Sequence, residues 1–311
     1  MQMSISLIQS ISVMFLMILV GMALFKSKVV GNEAITVITK LHLYVSAPAA
    51  IFNSFQIELS RQTLMGLLLA MGAGIVCHIL FIALTSVLKK PLRLTTMERG
   101  SVIYSNAANL VIPLVQMTLG QEMVLYSCGY IFISTFLVWT HGKTLMSGKK
   151  PENVWKIFTT INVLAIFAGL FCFILRVRLP SILGNTLNSL AATLAPTAML
   201  TVGMVLAQVD LRRVILNHRA LLVNFLRLIV CPLLTLLVIW ACGITRSHPW
   251  TAPILMITML AASAPTASSI SQFAVLFDNE REQASIVNLM SVILCIVTMP
   301  LINLLYTSFA M

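Results

Sequence analysis

Ser105, Asn106 and Asn109 fall within five residues of one another, and Pro113 follows four residues later, all inside an apolar run. These side chains give and take hydrogen bonds but include no strong nucleophile or acid, so the chemistry they offer is the holding of a polar solute. Pro113 has no N–H and clashes with the carbonyl four residues earlier, so the helix through Asn109 is expected to kink or break. A second stretch, SAPTASSISQ from Ser263 to Gln272, offers Ser263, Pro265, Thr266, Ser268 and Ser269. If the two segments run in opposite directions and cross near mid-membrane, the second half of each presents its positive N-terminal end to the crossing. That favours an anionic group such as a carboxylate. Proline, serine and threonine are also common in membrane helices as kinks and packing contacts, and both readings stay open.

The elements that must position these residues follow from composition. The chain has 311 residues, 59% hydrophobic and 9% charged, against about 25% charged in soluble domains. Its charges cluster in short breaks between apolar runs of about 20 residues, the length that crosses a bilayer as helix. An all-α polytopic membrane protein is expected. A transmembrane barrel is excluded, because the runs are too long and do not alternate. Ten spans are expected, at about Ser4–Phe25, Ile35–Phe55, Leu64–Val87, Gly100–Leu119, Met123–Leu145, Val154–Leu175, Ile182–Ala207, Leu216–Trp240, Thr251–Phe277 and Ser285–Ser308. Residues 1 to 25 read as the first span rather than a cleavable signal, since within them no basic residue precedes the apolar stretch and nothing after it reads as a cleavage site.

The net charge of +11 lies in membrane-flanking loops, so it points to no nucleic-acid partner. The loops after odd-numbered spans hold most of the lysines and arginines, among them Lys89, Lys90, Arg93, Arg99, Lys149, Lys150 and Lys156. The opposite loops hold Arg61, Arg176, Arg178 and Arg246. The positive-inside rule then puts both termini outside the cytoplasm. The compact loops suggest a bacterial inner membrane.

A repeat is visible. Span two carries APAAIF with Pro48 and span seven APTAML with Pro196, 148 positions apart; Pro113 and Pro265 are 152 apart. Two five-span halves, residues 1–150 and 151–311, are therefore expected, and five being odd, the second enters the membrane inverted. Inverted repeats with interrupted helices in matching positions mark secondary transporters, and the interruptions point to the binding site.

LHLYVSAPAAIF followed by NSF, SNAANLVIPL, LAPTAMLTVGMVLA, CPLL, AASAPTASS and VTMP together resemble the auxin efflux carrier family, in order along nearly the whole chain. The resemblance implies ten spans with broken, crossing helices four and nine, akin to bile-acid transporter and sodium/proton antiporter folds. It also implies a small organic acid as substrate, as for permeases linked to malate or malonate. By position, Asn106 matches the family's span-four asparagine. Val111 stands where the family usually has glycine, and Val292 and Cys295 where hydroxyls are common, while Ser291, Thr298 and Pro300 fit.

All nine acids fall in loops or at span ends, so a buried Asp/Glu proton relay is not expected. Facilitated export or coupling through sodium held by carbonyls and hydroxyls remains, with Na+ or H+ as possible coupling ion. Arg227, inside span eight, is read either as a counter-charge for an anionic solute or as a snorkelling side chain. Lys40 reads as an anchor, His42 and His78 as packing or titrating groups, and His141, His218 and His248 as interfacial. The six cysteines form no CxxC pair, so neither a disulfide framework, a metal site nor a cofactor is called for. Gly66, Ala70 and Gly74 lie at helix-contact spacing, within one subunit or across a homodimer.

The leading expectation is a secondary transporter, a permease for a small mono- or dicarboxylate working by alternating access. A sodium-coupled organic-anion symporter is the alternative. An enzyme is disfavoured because HExxH, GxSxG and paired intramembrane aspartates are missing, and a sensor because no signalling domain is seen.

Overall fold

The computed structural model describes residues 2–149, 158–208 and 216–310, which form helices joined by turns and short extended segments. The helices are α1 (Gln2–Lys26), α2 (Asn32–Ser54), α3 (Arg61–Leu88), α4 (Thr96–Ile103), α5 (Ala107–Thr118) and α6 (Gln121–Ser147). After these come α7 (Ile161–Ile174), α8 (Ser181–Ala207), α9 (His218–Cys242), α10 (Thr251–Ser263), α11 (Ser268–Leu276) and α12 (Arg281–Ala310). Among the described residues, six helical stretches are long and apolar enough to cross a membrane: α2, α3, α6, α8, α9 and α12. Helix occupies some or all of each predicted span. The predicted start of span six at Val154, and the loop residues Lys150, Glu152, Lys156, Asp210, Arg212 and Arg213, lie outside the described residues.

Three prolines leave the same local signature. Five-residue π turns at His42–Ser46, Ala107–Val111 and Leu226–Val230 end two residues before Pro48, Pro113 and Pro232. A proline ring collides with the carbonyl four residues back, and widening the preceding turn makes room while the chain stays helical. The Ala47 N–H then reaches five residues back to His42 O, and the Cys231 N–H to Leu226 O.

The chain forms two compact units that cut across the sequence halves. The first comprises Met1–Leu67, Ala108–Cys128 and Phe158–Val209. Its axis is the pairing of α1 with α8, where the backbones touch. An ideal Cβ on Gly203 would stand 2.0 Å from Ile18 O, and one on Gly21 2.2 Å from Leu200 O. Small residues allow such approach where no hydrophobic force drives helices together. The two proline-bearing helices of the repeat also meet here: Ser46 Oγ and Thr193 Oγ1 share a hydrogen bond of 2.7 Å, and the Asn53 amide donates to Asn188 Oδ1. Gln121 Nε2 donates to Ala50 O at 3.0 Å and Gln116 Nε2 to Ala191 O at 3.1 Å. Those bonds tie the 108–128 segment to α2 and α8.

The second unit comprises Leu68–Ala107, Gly129–Ile157 and Asp210–Met311. Within α3, Leu68, Ile75 and Ile79 are exposed while Ala70, Cys77 and Phe81 are buried. An apolar face left open in this way is suited to lipid. The buried small residues of α3 pack inside the chain: a Cβ on Gly74 would touch the Tyr130 backbone at 3.4 Å. Helix α4 begins with a capping box, Thr95 Oγ1 accepting from the Glu98 N–H at 3.2 Å and Glu98 Oε2 from the Thr95 N–H at 2.9 Å.

Glu98 is 1% exposed and forms a two-pronged ion pair with Arg219 of α9, at 2.5 Å to Nε and 2.7 Å to Nη2. Arg219 also donates to the carbonyls of Leu92 and Arg93 at 2.9 and 2.6 Å. Glu98→Gln keeps the cap but leaves the guanidinium facing a neutral amide. The expected loss is about 2 kcal/mol, below that of a fully buried pair because the Arg219 side chain is 39% exposed. It is read as a lower midpoint of thermal unfolding in detergent.

Candidate functional site at two paired helix breaks

Helix α10 stops because Pro265 cannot donate and its ring pushes the preceding residue out of helical conformation. Ala264 is extended, at φ −68° and ψ 153°, and the chain stays extended to Ala267 before α11 begins. Helix α4 stops at Ile103, and Tyr104 is extended at φ −101° and ψ 131°. The two extended pieces run antiparallel. Ser105 and Thr266 form a β-bridge, the Asn106 N–H donates to Pro265 O at 2.8 Å and the Ala267 N–H to Tyr104 O at 2.9 Å. Each break thus satisfies the other's backbone, which is what allows irregular chain at membrane depth. All of these residues belong to the second unit.

The break in the fourth span is not where Pro113 predicts it. Asn109 lies in the π turn that absorbs the Pro113 clash, and the chain opens instead at Tyr104–Asn106, where no proline stands. Pairing with residues 264–267 imposes that opening. Asn109 and Pro113 therefore fall in the first unit, apart from the unit that holds Ser105 and Asn106.

The predicted residues separate into accessible and structural groups. Asn106, Ser268 and Ser269 are half-buried, and among the described residues their side chains have no hydrogen-bond partner. Helix α11 starts at Ser268 without a side-chain cap. The Ala267 and Ile270 N–H groups bond Tyr104 O and Ala267 O, which leaves the N–H groups of Ser268 and Ser269 and the positive dipole end to face an anion. Ser263 and Thr266 are fully buried, and Pro265 is buried beside them. Ser263 Oγ donates to Met259 O of its own helix at 2.8 Å, and Thr266 Oγ1 donates to Ser101 O at 3.2 Å. Ser105 Oγ is buried without a partner, as are Tyr130 Oη and His78 Nε2 nearby; the His78 and Tyr130 rings lie 5.4 Å apart.

Arg227 is 0% exposed, so it does not snorkel to the headgroups. Its guanidinium binds backbone instead: Nε donates to Ala264 O at 3.1 Å, Nη1 to Val102 O at 3.1 Å, and Nη2 to Ala262 O and Ala261 O at 3.0 and 3.2 Å. Those carbonyls are the C-terminal ends of α4 and α10. Tyr104 was not foreseen as a site residue. Its carbonyl pairs the breaks, while its hydroxyl donates to Leu137 O at 3.1 Å and lies 2.7 Å from His141 Nδ1. A tyrosine in an apolar run carries no sequence signal of its own; only the pairing reveals it.

Ser291 of α12 fixes the crossing from behind: its hydroxyl accepts the buried Thr266 N–H at 3.1 Å and lies 2.5 Å from Asn288 O. Ser291→Ala strands that N–H. The expected cost is about 1–3 kcal/mol, measured as a lowered unfolding midpoint, and Ser291→Thr is expected to restore most of it.

A helical membrane protein whose discontinuous helices meet at their breaks belongs with the transporters built on such helices. The family model described as membrane transport protein, that of the auxin efflux carriers, matches residues 6–156 and again residues 150–303. The chain belongs to this family, whose members are membrane transporters rather than enzymes. No curated protein matches the chain.

Proposed function

We propose that the chain is a secondary transporter of a small organic anion, a mono- or dicarboxylate, bound at the paired breaks and carried by alternating access. The observation that carries this reading is the uncapped start of α11, with Ser268, Ser269 and Asn106 offering unpartnered polar groups beside it. A carboxylate there meets backbone N–H groups, hydroxyls, an amide and the positive end of a helix dipole. The acids support the same reading. Glu98, the buried acid among the described residues, is held by Arg219, so no free carboxylate stands at the breaks to repel an anion.

The two halves, 1–150 and 151–311, are proposed as inverted five-span repeats. The two matched proline helices meet in the first unit, through Ser46 and Thr193, and the two matched breaks pair in the second. The loop charges favour both termini on the outer face of a bacterial inner membrane.

The test is uptake of labelled malate, malonate and an indole acid by vesicles carrying the purified protein, with and without sodium and a pH gradient. Saturable uptake of at least one acid is expected. Failure of all three, with a substrate consumed instead, rejects the reading; strict dependence on sodium favours a sodium-coupled symporter.

A further inference from the structure

Arg227 is a full positive charge enclosed by protein, and among the described residues no carboxylate lies within ion-pair distance of it. An unpaired charge in such a place is strongly unfavourable, so something must balance it. Its partners are the carbonyls of Val102, at the end of α4, and of Ala261, Ala262 and Ala264, at the end of α10. Each helix C-terminus carries about half a negative charge, so the two ends together offset roughly one cation. The Phe81 ring, 5.5 Å from the guanidinium carbon, covers one face. In transporters with interrupted helices, half-helix C-termini and unwound carbonyls are the groups that coordinate a coupling cation. Here the side chain of Arg227 has taken those oxygens.

We propose that Arg227 is a built-in substitute for a coupling cation: it fills the carbonyl-lined site where α4 and α10 end, so the breaks are charge-balanced without sodium. Removing the side chain opens that site to a monovalent cation. The functional consequence, sodium-independent flux, rests on the transport reading above; the cation site does not, because it is read without substrate. Arg227 then acts on a bound anion through the backbone it fixes, not by touching it.

Wild type and Arg227→Ala are purified and unfolded thermally in choline chloride, sodium chloride or guanidinium chloride at equal, submolar concentration. The wild-type midpoint is expected to be the same in choline and in sodium. The Arg227→Ala midpoint should fall by at least about 5 °C in choline, and rise again, saturably, with sodium or guanidinium. Choline is too large for a site the size of one guanidinium. Should Arg227→Ala be recovered folded only from buffers containing sodium or guanidinium, the inference stands. Loss of folding in all three salts overturns it, as does a wild type that sodium itself stabilises. Arg227→Lys keeps the charge and is expected to need no added cation, whereas Arg227→Met keeps bulk alone. A near-wild-type midpoint for Arg227→Met in choline shows the charge to be dispensable and overturns the proposal.

Discussion

Vesicles carrying Asn106→Ala are expected to take up labelled malonate about 10- to 100-fold more slowly at subsaturating concentration than wild type, with the unfolding midpoint unchanged. The magnitude is that of one hydrogen bond to a charged group, about 1.5–3 kcal/mol. The separation of flux from folding comes from geometry. The Asn106 backbone N–H holds Pro265 O at 2.8 Å, and alanine keeps that bond. The side-chain amide is half-buried and makes no bond among the described residues, so removing it strands none of their polar groups. Asn106→Asp adds a carboxylate beside the proposed anion site and is expected to lower uptake further than alanine does. Ser263→Ala is the contrasting substitution, because its hydroxyl bonds Met259 O of the same helix and faces no solute; its flux should match wild type. Unimpaired malonate uptake in Asn106→Ala, alongside measurable wild-type uptake, removes Asn106 from the site.

The reach of the sequence is clearest at the two breaks. Pro265 announces its own break, because a missing N–H and a ring clash act locally and any reader of the residues can apply them. Pro113 obeys the same rule but yields only a π turn, and the opening at Tyr104–Asn106 is set by a strand-like pairing with residues 161 positions away. No local pattern encodes that partner. The apolar runs made the all-helical membrane class legible, since helix length against bilayer thickness is a one-dimensional property. Of the candidate site, residue types were readable but their direction was not. Ser263 and Thr266 share a segment with Ser268 and Ser269, yet the first two turn into the protein and the last two stay accessible. Arg227 was legible as unusual. What it binds depends on two helix ends brought to it by the fold, and neither reading taken from sequence anticipated four carbonyls.

The second large effect is expected far from the site, at Gly203→Val in α8. A Cβ there would stand 2.0 Å from Ile18 O and 2.9 Å from the Met22 N, both backbone atoms of α1 that no rotamer change can move. Gly21 presents the reciprocal contact, 2.2 Å from Leu200 O, so each helix already uses the gap on the other. An added side chain must push the two helices apart along their length, which loses neighbouring contacts as well. Overpacking of a core costs about 1–3 kcal/mol, and a backbone obstacle places Gly203→Val at or above the top of that range. The expected result is a sharply lowered unfolding midpoint and reduced recovery of folded protein from detergent, with Gly203→Ala intermediate. Gly184→Ala is the matched control, in the first turns of the same long helix and with nothing within 4 Å of the new Cβ. There the helix propensity of alanine, about 1 kcal/mol better than glycine, should leave the midpoint unchanged or raise it. Equal midpoints for Gly203→Val and wild type would mean that α1 and α8 do not approach as closely as their glycines permit.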